Sequence, residues 1–138
     1  MKRKFFRIIA VTLIAVFCLG SAAMAAEICS SSYISYCSAG VSATGGGNLR
    51  VSFSVTGKST MASIGATTIR IKDSDGNTVK TYSCASYPVM MGRNRGVYSD
   101  SVSYAGVSGT QYYAVVIFYA KNGSGSGSAS YTTGRVTA

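Results

Sequence analysis

Three cysteines, Cys29, Cys37 and Cys84, and the oxygen-rich run Asp73-Ser74-Asp75-Gly76-Asn77 are where this chain could most plainly do chemistry. Histidine is absent from all 138 residues. Acid and base catalysis near neutral pH draws first on imidazole, so the Ser-His and Cys-His nucleophile pairs are excluded. Of the four acids, Asp73 and Asp75 belong to the turn-forming run, which leaves Asp100 and Glu27 as the remaining partners for paired-carboxylate hydrolysis. The chain reads as a non-enzyme, with no catalytic residue and no cofactor.

Metal binding fares no better. Asp73, Asp75 and Asn77 alternate as the first ligands of a calcium loop do. However, Gly76 comes before the third ligand, and the twelfth place holds Cys84 where glutamate belongs. The run is a turn. The spacings Cys-x7-Cys and Cys-x46-Cys match no common zinc site.

Disulfide use depends on where the chain goes. Lys2, Arg3, Lys4 and Arg7 precede a 13-residue apolar stretch, residues 8–20, and then the small-residue triplet Ala23-Met24-Ala25. That order is the pattern of a secretory signal peptide, residues 1–25, cleaved after Ala25. Thirteen apolar residues fall short of the roughly 20 of a spanning helix, so no stable membrane span remains after cleavage. Phe17 before Cys18 argues against a lipid-modified cysteine. The secreted domain, residues 26–138, keeps nine Lys and Arg against four acids, a net charge of +5. Export makes a disulfide the expected use of two of the three remaining cysteines. A Cys29–Cys37 bond would add about 2.6 kcal/mol on the chain-entropy estimate, and a bond from either to Cys84 about 4. The longer link is the preferred expectation, because it ties the N-terminus to the body of the domain. The third cysteine could join two copies as a dimer.

These side chains have to be held by strands. After Glu27 no segment repeats its apolar residues at helical spacing, whereas several alternate strictly. LRVSFSVT, residues 49–56, is apolar on one parity and polar on the other, and residues 36–43 can run back beside it after the turn TGGGN. Residues 69–72 and 78–82 flank the Asp-Gly turn as a hairpin. Residues 97–105 form a further strand. In residues 112–120 both parities are apolar, as in the middle of a sheet. The glycine-serine string 121–128 reads as a hairpin loop to a last strand, 129–137. Seven strands predict an all-β, antiparallel, single-domain sandwich of two sheets.

The C-terminal run VSGTQYYAVVIFYAKNGSGSGSAS resembles the last two strands of fibronectin type III and related immunoglobulin-like domains, where Gly-Thr-x-Tyr opens a long alternating strand. The resemblance implies an immunoglobulin-like sandwich in which Tyr112 bonds back to the backbone at a corner. The chain has no tryptophan, so Phe53 takes the space the family fills with that residue. The chain as a whole resembles small secreted proteins of Gram-positive bacteria, a likeness that carries no mechanism.

Function then falls to surface contacts. Residues 87–96 pair apolar side chains with two arginines, which makes Tyr87, Met90, Met91, Arg93 and Arg95 a candidate binding loop. Tyr113, Tyr119 and Tyr131 are candidates for an outer tyrosine platform, since tyrosine joins a large apolar area to a hydroxyl. The basic residues are scattered and the protein is exported, so nucleic acid is not an expected partner. The first expectation is an extracellular module that binds a protein or glycan at the cell surface. The alternatives are a cationic effector acting on membranes or competing cells, and a self-assembling surface protein.

Overall fold

The computed structural model describes Cys29 and residues 31–138; the expected signal segment and its cleavage point at Ala25 lie outside them. The fold is all-β, built from β1 (Ile34–Gly45), β2 (Asn48–Asp73), β3 (Thr78–Ser83), β4 (Met91–Ala105), β5 (Gln111–Asn122), β6 (Gly125–Thr132) and β7 (Val136–Thr137). A 3-10 turn, Pro88–Met90, leads into β4. Among the described residues no helix is long and apolar enough to cross a membrane.

Every pairing is antiparallel, and hydrogen bonds join all seven strands into one sheet curled over itself as a half-barrel. Two separate sheets were expected. The difference lies in β2, which runs through what the sequence divides into two strands and a connection. Its first part, 48–56, lies between β1 and β4. Its second part, 63–73, lies beside β5, with β4 and then β3 on the other edge. One strand therefore belongs to both arms of the curl, and no loop separates them.

Alternation along β2 explains both its burial and its concealment. Leu49, Val51, Phe53 and Val55 face inward, and all are buried. Beyond Thr56 the register against β4 slips, and a second irregularity interrupts pairing with β5 between Ala66 and Thr68. The buried positions move from Met61 to Ile64 and Ala66, then to Ile69 and Ile71. The buried parity is kept from Val55 to Met61, changes between Met61 and Ile64, and changes back across the bulge at Ala66–Thr68, which breaks a period-2 count made on the sequence.

Between the arms the inward side chains meet. Phe53 packs edge-on to Phe118 at 6.2 Å between ring centroids and lies 6.3 Å from Tyr98, which places its ring between the arms. The Tyr82 hydroxyl, on β3, donates to the Ser103 carbonyl on β4 at 2.6 Å, fastening one arm to the other. At the start of β5, the Tyr112 hydroxyl accepts the Val107 N–H at 2.9 Å, which is the corner bond anticipated for it.

The glycine-serine string is strand where a loop was expected. Only Gly123 and Ser124 form the turn, where the Asn122 side-chain oxygen accepts the Ser124 N–H at 2.8 Å, and β6 pairs from Gly125 onward. Its alternation follows the packing: serines 126, 128 and 130 are exposed, while Gly125 and Gly127 face Tyr33 and Ser31. A Cβ on Gly127 would come within 2.7 Å of the Ser31 hydroxyl oxygen and 3.2 Å of the Tyr33 ring.

Cys29 bonds to Cys37, with Cα atoms 5.2 Å apart, so the longer link to Cys84 is not formed. Residues 31–33, within the loop this bond closes, lie against Gly125 and Gly127 of β6. Cys84 is free and half-buried just beyond β3, its N–H donating to the Thr67 carbonyl at 3.0 Å.

Candidate functional site

The second arm carries a cleft of about 520 Å³, lined by Ser63, Thr67, Cys84, Pro88, Met91, Arg93 and Tyr119. Three strands build it. Ser63 and Gly65 of β2 form the middle, Arg93 and Met91 of β4 are their partners on one edge, and Lys121 and Tyr119 of β5 are their partners on the other. Gly65 keeps this middle low: a Cβ there would overlap the Met90 carbonyl oxygen and lie 2.9 Å from the Met91 Cα. A side chain at that position would lift β4 off β2.

The walls are braced from beneath. Met90 is fully buried and anchors the 3-10 turn, and the Tyr98 hydroxyl donates to the Val89 carbonyl. Pro88 opens the turn, where a fixed φ and a missing N–H cost nothing. Thr67 donates its hydroxyl to the Ile117 carbonyl at 3.2 Å, which leaves the oxygen's lone pairs as acceptors on the cleft side.

Charge on this face has one sign. Arg93 and Lys121 are both exposed and both pair with Ser63, one on either side. At about 4.8 Å per strand spacing their Cα atoms are about 10 Å apart. None of the three acids among the described residues lines the cleft. Asp73 and Asp75 stand at or beyond the far end of β2, about 30 Å along the strand from Ser63. Asp100 is paired with the core residue Phe53 on the first arm.

The sequence candidates separate under this geometry. Met91, Arg93 and Tyr119 come together in the cleft, although two were assigned to a loop and one to a platform. The expected loop 87–96 is irregular only as far as Met90, and from Met91 it is strand. Met90 is core, and is withdrawn from the binding set. Tyr87 packs edge-on to Tyr82 at 5.1 Å, and the Arg95 guanidinium lies over the Tyr98 ring at 5.7 Å, so neither lines the cleft.

The tyrosine platform does not form. Tyr131 pairs with the buried Val116 and packs against the core, on the opposite face from Tyr119. Tyr113 shares the outer face but sits six residues, about 20 Å, down β5, beneath the Arg135 guanidinium at 5.2 Å. Ser63 and Thr67 were missed by sequence reasoning, because the bulges of β2 hide their strand.

A shallower depression of about 440 Å³ lies on the outer face of the first arm, over Gly40, with Ser38, Ser52, Ser54, Ser99 and Ser101 among its lining. The Ser99 hydroxyl donates to that of Ser54 at 2.9 Å. No cation lines it. In the turn after β2, one Asp73 carboxylate oxygen accepts the N–H groups of Asp75 and Asn77 at 3.0 and 2.9 Å, the bonding of a turn. Among the described residues, no group of three or more His, Cys, Asp or Glu gathers as a metal site would require.

No protein-family model, no curated protein and no solved structure matches this chain.

Proposed function

We propose that this chain is an exported, non-catalytic binding module that attaches to a protein or glycan at the cell surface through the Arg93–Tyr119 cleft. The observation that carries the reading is the cleft itself. Its volume lies in the range of small-ligand sites. A cation, a tyrosine and two hydroxyls converge there on braced strands, and no acid opposes them. A chain without histidine has little with which to turn such a site over to acid-base chemistry.

The strand pairings support describing the module as immunoglobulin-like. β2 begins between β1 and β4, as the second strand of that family lies between its first and fifth. β5 lies between the second part of β2 and β6, as the family's sixth strand lies between its third and seventh. The Tyr112 corner bond belongs to the same pattern. The continuous β2 departs from it.

The test is retention of the secreted protein on arrayed wall polymers, host glycans and surface proteins. Arg93→Ala with Tyr119→Ala should abolish retention, while Arg95→Ala should leave it intact. Undiminished retention of the double variant would place binding elsewhere on the molecule.

A further inference from the structure

Resting on that reading of the cleft, we infer that its ligand is an acidic sugar, a hydroxylated ring bearing a carboxylate or a phosphate ester. Three features of the site ask for three parts of such a ligand. Arg93 in the cleft and Lys121 on the same face set two cations either side of Ser63, so an oxyanion entering between them meets positive charge from both strands. Arginine's planar fork suits carboxylate and phosphate alike. Thr67, its proton already committed to the Ile117 carbonyl, can only accept there, and what it accepts from is a donor such as a ring hydroxyl.

The third feature is the apolar surface. Tyr119, Met91 and Pro88 line the same space, giving the carbon skeleton of a ring a place to lose water. A bare inorganic anion would leave that surface unused. A neutral sugar would leave the cations unused. An apolar peptide would bury Arg93 without a counter-charge, which is costly.

Cys84 provides an independent readout, because it is among the residues that line the cleft and is not in a disulfide. The secreted protein is titrated with a uronic-acid tetrasaccharide, a phosphorylated tetrasaccharide and a neutral tetrasaccharide of matching linkage. Calorimetry gives affinity, and the rate at which a small alkylating reagent modifies Cys84 reports occupancy. At least one acidic ligand should bind, slow alkylation, and weaken about tenfold or more with Arg93→Ala, Lys121→Ala or a rise in salt. The neutral sugar should bind about tenfold more weakly or worse. The two acidic arms distinguish carboxylate from phosphate.

Equal affinity for the neutral sugar, with Cys84 protected, would overturn the acidic-sugar inference and keep the cleft as the site. So would protection of Cys84 by a surface protein and by none of the sugars. Binding of an acidic sugar that neither protects Cys84 nor depends on Arg93 would overturn both readings.

Discussion

Tyr82 and Tyr98 show how single side chains tie this fold to pH. Burial, and then the neighbouring Tyr87 and Tyr104, raise Tyr82 above the usual tyrosine value. Burial, and then the carboxylate of Asp100, raise Tyr98. Both remain protonated in the fold at a pH where the unfolded chain has begun to lose the same protons. Their contribution is therefore fully present below about pH 10 and is lost as pH rises through their folded values. Urea midpoints should hold steady from pH 8 to about 9 and fall as pH rises beyond about 10, and Tyr82→Phe with Tyr98→Phe should flatten that fall. An unchanged slope in the double variant would assign the alkaline loss to other groups. The scale of single residues is also where the sequence was least legible. Arg93 and Arg95 are two apart on one strand and alike in composition. One lines the cleft and the other covers Tyr98, because only the slipped register of β4 against β2 decides what each one meets.

Among the elements, β6 gives the sharpest test. Its glycines are read in isolation as slack, yet Gly125 and Gly127 leave the space that Tyr33 and Ser31 occupy. Gly127→Val should force residues 31–33 off β6 and cost about 1–3 kcal/mol, as overpacking does elsewhere. Gly123→Ala, in the turn with open space around its Cβ, serves as the control and should change the midpoint little. Equal effects of the two would mean that the contact with Tyr33 contributes nothing. The alternating strands were legible, as was the hairpin at Asp73–Asn77, because period-2 burial and turn chemistry are local. The length of β2 was not, since its buried face turns over twice, between Met61 and Ile64 and across the Ala66–Thr68 bulge, and makes one strand look like two with a loop between.

For the whole molecule, the disulfide sets the prediction. With Cys29 joined to Cys37, the secreted protein denatured without reductant should take up one alkyl group, at Cys84, and three after reduction. Cys29→Ser with Cys37→Ser should lower stability by about 2.6 kcal/mol, the chain-entropy value for that short loop. Alkylation at Cys29 or Cys37 before reduction would contradict the pairing. Sequence preferred the longer link because it is worth more in the unfolded chain, but a bond forms only where the folded backbone brings two Cα atoms within reach.

The sequence by itself determined an all-β chain with a buried, doubly apolar strand at 112–120, a tyrosine at its corner and no histidine for acid-base work. These follow from alternation, turn residues and composition, each readable over a few neighbours. Only the tertiary structure decided that the strands share one curled sheet, that Cys37 pairs with Cys29, and that Met91, Arg93 and Tyr119 border one cleft. Those outcomes depend on register between strands far apart in the chain. A slip of one residue exchanges inside for outside, and no local pattern records it.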